Sequence, residues 1–210
     1  MILFDKTQIF GWEPAIRGMR NPMNSWDRSD SSFDNGVNRI GSEDRALMQK
    51  LADAGQCHGK YLRMIVVTVD ITAPMYWWQE FDTYKVGTVR NSCSKMHKLL
   101  SRKFEADDFS HEYIAWSGKV MSFFLDQVLT LNELRDQFMK EPDPKIKKRI
   151  WCQILQLLPV SYNQKSTVML NYAVLKNIYE YRKDHKLDEW KDFCRWIRSL
   201  PHSELITGRE

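Results

Sequence analysis

Apolar and polar side chains alternate from Leu62 to Thr72, with Val67, Val69 and Ile71 set against Thr68, Asp70 and Thr72. That is the period of a strand with one wet face. Ile2 to Phe10, ILFDKTQIF, reads as an edge strand closed by Gly11, and the β-branched run from Lys165 to Leu170 as a further short strand. Elsewhere the period is helical. Glu43 to Ala54 predicts a helix with Ser42 as N-cap, acidic residues in its first turn and Gly55 past its end. Ala73-Pro74 opens another, PMYWWQEFDTYKVG, with Tyr76, Trp77, Trp78, Phe81 and Tyr84 all round it, the pattern of a buried helix. After the polar connection FEADDFS, Ser110 is expected to cap a long helix from His111. Its apolar positions are Ile114, Val120, Met121, Phe124, Leu125, Val128 and Leu131, with a break near Leu129 to Leu131. Glu141-Pro142 and Asp143-Pro144 stop it. KIKKRIWCQILQLLP then reads as an amphipathic helix with Ile146, Ile150, Ile154 and Leu157 in register. A last helix starts at Asp188 and Glu189 with Trp190, Phe193, Cys194 and Ile197 as its core stripe, and the tail after Pro201 is expected to pack lightly or fray. The fold class expected is α+β, a small, mainly antiparallel sheet flanked by long helices.

The stretch from Trp12 to Asp44 departs from both periods. Its Gly, Pro, Asn, Asp and Ser are too dense for a long regular element, with Ala15 to Met19 allowing one helical turn. The loop after it carries Arg17, Arg20, Asn21, Asn24, Trp26 and Arg28. Either its arginines reach a phosphate or it faces solvent.

Composition bounds the answer further. With 210 residues and 43% hydrophobic content the chain can bury one substantial core, so a single domain over residues 1–210 is expected. No helix-length apolar run free of charge occurs and the N-terminus lacks a basic-then-apolar segment, so a soluble, cytoplasmic protein with no membrane partner is expected. Cys57, Cys93, Cys152 and Cys194 lie far apart with no CxxC or Cys/His pairing, which argues against a metal site or disulfide framework and for reduced packing residues. The net charge of +4 is spread among interleaved acids and bases. A nucleic-acid partner is therefore not expected, and KIKKR reads as a solvated helix face.

Chemistry concentrates after Leu158-Pro159. On a helix starting near Asn171, that residue shares a face with Leu175, Ile178 and Arg182, and Val174, Asn177 and Tyr181 line the neighbouring face. At 1.5 Å per residue Asn171 and Arg182 stand about 16 Å apart, roughly the length of a nucleotide. Two readings stand side by side. Asn171 and Asn177 can address the edges of a ring while Arg182 forks onto a carbonyl or phosphate, or Asn171 caps the helix and Arg182 closes it against the dipole.

Leu-Pro followed twelve residues later by Asn171, then Asn177 and Arg182, resembles the C-terminal motif of the flavin-dependent thymidylate synthases, and Ser42 to Met96 aligns with them without gaps. The resemblance implies that His58, Asn171 and Asn177 contact FAD and that Arg182 holds a pyrimidine nucleotide such as dUMP. It also implies a homotetramer with sites shared between subunits, into whose interface the aromatic helix would fit. Where the synthases carry Arg-His-Arg, this chain has Thr83, Tyr84 and Lys85. Thr88 stands for the first serine, Arg90 and Asn91 for the Asn-Glu pair, Cys93 for the second serine, and Lys95 and Met96 for Arg-Tyr. A one-residue slip would place Ser92 on the second serine but Asp82 where a cation is needed, so the ungapped register is preferred. Lys85 is then assigned to the cofactor side, Lys95 and Arg90 to the substrate side, and no catalytic residue is assigned. The active-site arginine that the synthases place three residues before the Leu of Leu-Pro is Leu155 here. The resemblance thus implies either a divergent nucleotide- or flavin-binding relative in which ordinary thymidylate synthesis is lost, or a non-catalytic binding or interaction protein, phage-borne or accessory, on the same scaffold.

Overall fold

The computed structural model describes residues 1–34, 37–94 and 98–208. Four strands, β1 (Leu3–Phe10), β2 (Val66–Pro74), β3 (Val89–Ser92) and β4 (Asn163–Asn171), form one antiparallel sheet in the order β1-β2-β4-β3. The fold is α+β, as the periodicity expects. β1 is an edge strand, and in β2 Val67, Val69 and Ile71 are the buried set. That strand begins at Val66 rather than Leu62, because Gly59–Arg63 closes into a 3-10 turn that buries Tyr61 and Leu62. Gln164, Ser166, Val168 and Leu170 of β4 are buried while the residues between them are exposed.

The residues group into two compact units. One comprises Met1, Thr72–Phe81 and Ser92–Ser166; the other comprises Ile2–Ile71, Asp82–Asn91 and Thr167 onward.

In the first unit α3 (Met75–Phe81) buries Trp77, Trp78 and Phe81, and the Trp78 indole donates to the Gln164 carbonyl at 2.9 Å. The helix stops at Phe81 instead of running to Gly87, and its Trp77, Trp78 and Phe81 are covered by this chain itself. Ser110 does not cap a helix: its hydroxyl donates to Asn163 Oδ1 at 2.9 Å, and α4 spans Gly118–Lys140 without the expected break. Phe124, Val128 and Leu131 of α4 pack with Ile150 and Ile154 of α5 (Pro144–Leu157). Ile146 and Leu157, expected in that stripe, are exposed. Asp143 accepts from the Lys145 amide at 2.7 Å, so the Asp143-Pro144 pair is a helix cap with proline just inside.

In the second unit α1 (Trp12–Arg20) is a full helix where only one turn was expected. Trp12, Ala15, Ile16 and Met19 form a buried i, i+3, i+4, i+7 stripe, and the proline and glycine fall where a helix tolerates them. Arg20 is buried too: its Nε donates to Asp44 Oδ1 at 2.6 Å, so it serves no phosphate. α2 (Ser42–Asp53) begins at Ser42, but the cap comes from Asp30, whose carboxylate accepts from the amides of Glu43 and Asp44 at 2.9 and 3.0 Å. α6 (Tyr172–Arg182) and α7 (Asp188–Arg198) bury the expected stripes, including Leu175, Ile178, Trp190, Phe193 and Ile197. As far as Gly208 the tail packs firmly: α8 (Glu204–Thr207) buries Leu205 and Ile206 against α6 and α2.

No helix among the described residues is long and apolar enough to cross a membrane, and no group of three or more His, Cys, Asp or Glu among them could hold a metal ion. Cys194 is buried, and burial pushes its thiol up to about 11; Cys57 and Cys93 are exposed rather than packed.

Candidate functional site

The cofactor-side and substrate-side residues assigned from sequence that fall within the described structure, His58, Lys85, Arg90, Asn171, Asn177 and Arg182, all belong to the second unit. Asn171, the last residue of β4, turns the chain into the helix, and its Oδ1 accepts from the Val174 amide at 3.0 Å. The capping role is therefore real. It uses the side-chain oxygen and leaves the Nδ2 group to donate.

Against this helix lies the segment between α3 and β3. Gly87, at φ +76, sits so close that a Cβ there would stand 3.1 Å from both Asn171 Nδ2 and Val174 Cγ2. At the other end of α6 the Arg182 Nε donates to the Tyr84 hydroxyl at 2.9 Å. Thr83-Tyr84-Lys85, the segment aligned with the synthase triplet, thus runs beside the helix carrying Asn171 and Arg182. Residues more than eighty positions apart in sequence are brought together here.

Two aromatic residues hold Arg182. Besides Tyr84, its guanidinium carbon lies 4.6 Å from the centroid of the Trp190 ring and 5.7 Å from that of Tyr84. Tyr84 meets Trp190 edge-on at 6.0 Å, and His185 meets the same indole at 6.2 Å. Trp190 is fully buried, so the cation rests on a fixed aromatic face, an interaction that strengthens as water is excluded. Arg182 itself is only partly buried.

The other assigned residues are placed differently. His58 is exposed, immediately before the 3-10 turn Gly59–Arg63 that packs against α6. The link between α6 and this region is made by Lys176, whose Nζ donates to the Ala52 carbonyl at 2.7 Å, and by the Tyr172 amide on the Ile65 carbonyl at 3.1 Å. Asn177 is exposed on a face of α6 turned away from that of Asn171, and Lys85 is exposed on the Tyr84 segment. Arg90 is tied by Nη1 to both oxygens of Asp82, at 2.9 and 2.8 Å, which closes the base of that segment. Lys95 lies outside the described residues. In the first unit Leu155 packs against the apolar cluster of α4 and α5, so its position carries a core side chain where the synthases carry a cation.

Tyr84 and Trp190 were not assigned to the site from sequence. Tyr84 had a signal, its place at the centre of the triplet position; Trp190 had none, since its spacing is that of a core stripe. Thr88 is a third addition. Its Oγ1 is buried and has no hydrogen-bond partner among the described residues, one position beyond the Gly87 contact.

No protein-family model matches this sequence. No curated protein matches it either. Solved structures do. The flavin-dependent thymidylate synthase ThyX of Helicobacter pylori, complexed with FAD and dUMP, superposes with a TM-score of 0.68 at 17% identity, over 98% of this chain and 96% of that one. A second structure of that enzyme with FAD and dUMP gives 0.67 at 16% identity, over 98% and 95%. The UMP/dUMP methylase PolB of Streptomyces cacaoi, bound with 5-Br dUMP, gives 0.63 at 13% identity, over 99% and 95%. Across nearly its whole length, then, this chain has the fold of the flavin-dependent thymidylate synthases.

Proposed function

We propose that this chain binds a pyrimidine nucleotide of the dUMP class on a flavin-dependent thymidylate synthase scaffold, with Arg182 as the principal contact and Arg90 and Lys95 as further cations on the substrate side. The observation that carries the reading is the seat of Arg182, fixed by Tyr84 and Trp190 at the end of α6. A guanidinium held in one orientation presents its donors to a phosphate or ring carbonyl with less entropy lost on binding. The solved neighbours that hold dUMP or its bromo analogue support the same ligand class.

FAD would be held by His58, Lys85, Asn171 and Asn177, the last from another face of α6 than Asn171. Two features fit it. The close approach at Gly87 leaves no room for a side chain beside Asn171 Nδ2, and Thr88 offers a buried hydroxyl that lacks a partner among the described residues. When bound, a flavin supplies hydride chemistry. This chain's own residues hold and orient; with Thr83, Tyr84 and Lys85 in place of two arginines and a histidine, and Leu155 in place of another arginine, they do not rebuild the clamps of ordinary thymidylate synthesis. Exposed Val120, Phe123, Leu125 and Leu129 on α4 support a homo-oligomer, which we take to be a tetramer with sites shared between subunits.

Purified protein tests this directly. A visible flavin band, or stabilisation by added FAD, is the expected cofactor result. At a concentration one hundred times its Kd, dUMP should raise stability by about 2.7 kcal/mol. Arg182→Ala should abolish that gain, and a gain that survives in this variant overturns the role of Arg182. A protein that neither ligand stabilises is an interaction protein on a reused scaffold.

A further inference from the structure

We infer that Tyr84 is the positioning residue for Arg182, so that a tyrosine at the centre of the altered triplet sets the affinity for the nucleotide; this rests on the nucleotide reading above. The Nε–H of Arg182 is directed at the Tyr84 hydroxyl at 2.9 Å, and the guanidinium faces the rings of Tyr84 and Trp190. Nε is the one guanidinium nitrogen on the stem side. A bond there fixes rotation about the last side-chain torsions and so aims the outer Nη edge, the edge that forks onto phosphates and carbonyls.

Tyr84 is itself fixed. The Asp82–Arg90 ion pair closes its segment at one end, Gly87 seats it on Asn171 and Val174 at the other, and the buried Trp190 backs the ring. A phenol in this position supplies a neutral acceptor and adds no charge beside Arg182. A carboxylate there would neutralise the guanidinium.

The test is a double-mutant cycle on full-length protein, with dUMP affinity measured by calorimetry for the wild type, Tyr84→Phe, Arg182→Lys and the double variant. Tyr84→Phe keeps the ring and removes only the acceptor. It should weaken dUMP binding up to about tenfold, the cost of ordering one freed side chain on binding. Lysine has no directed Nε–H, so Tyr84→Phe should cost nothing further in the Arg182→Lys background. A purely structural Tyr84 would lower the melting temperature of the ligand-free protein and weaken both backgrounds equally; that additivity overturns the inference. Tighter binding by Tyr84→Phe overturns it as well, because it would make the segment an obstruction rather than a support. A wild type that binds dUMP while Tyr84→Phe binds it equally well refutes the role of Tyr84 alone, whereas a wild type that ignores dUMP refutes the nucleotide reading and this inference with it.

Discussion

Asp44 accepts from Arg20 Nε on one oxygen, and from the hydroxyls of Ser29 and Ser31 on the other, each at 2.6 Å. The Asp44 side chain is fully buried and that of Arg20 is 5% exposed. Removing one partner leaves the other charge stranded. Asp44→Ala should therefore destabilise the protein by about 3–5 kcal/mol in urea unfolding, whereas replacing Arg20 and Asp44 together by Met and Leu should cost far less. Asp30, next along, is exposed but works through backbone. The amides of Glu43 and then Asp44 hold its carboxyl below the ordinary 3.8. A carboxyl whose folded pKa is depressed stabilises above its unfolded pKa, and that contribution is lost as pH falls through the lower folded value. Acid titration of stability below pH 3.8 should accordingly be shallower in Asp30→Asn than in the wild type.

At the scale of elements, α2 shows how a helix can start on a residue distant in sequence. The cap reaches it only because position 41 is glycine: a Cβ there would fall 2.1 Å from Asp30 Cγ. Gly41→Ala should displace the carboxylate, cost about 1 kcal/mol, and speed amide exchange at Glu43 and Asp44 before anywhere else in α2. α4 has a comparable device midway along. Asn132 Oδ1 accepts from the Phe104 amide at 2.8 Å and its Nδ2 donates to the Phe104 carbonyl at 2.9 Å. Asn132→Ala leaves both backbone groups unpaired, and should cost about 1–3 kcal/mol and raise proteolysis between Phe104 and Ser110.

The whole molecule carries large apolar side chains that its own fold leaves exposed. Phe123 is 71% exposed and Leu129 58% on α4, with Trp116 at 85% just before it. Light scattering should give about 100 kDa, four chains of 25.0 kDa, and Phe123→Glu combined with Leu129→Glu should reduce that mass. An unchanged mass in the double variant would remove this face from the interface, and a wild type at the mass of a single chain would remove the tetramer.

Elements whose information is local can be read along the chain. Alternation in β2, the β-branched run in β4, the stripes of α6 and α7, and the proline stops before α5 each follow from a period of two or 3.6 residues, from β propensity or from a missing amide. The cap at Asn171 was also legible as one of two readings, because a cap acts within three residues. Tertiary structure alone decided what depends on distant partners. The Gly, Pro and Ser of residues 12–41 look like loop until Trp12, Ile16 and Met19 find a core, Arg20 finds Asp44, and Asp30 finds the start of α2. Tyr84 and Arg182 lie 98 positions apart, and no period along a chain registers a bond of that span. Only the folded backbone, carrying the segment after α3 along α6, joins the altered triplet to the arginine it supports.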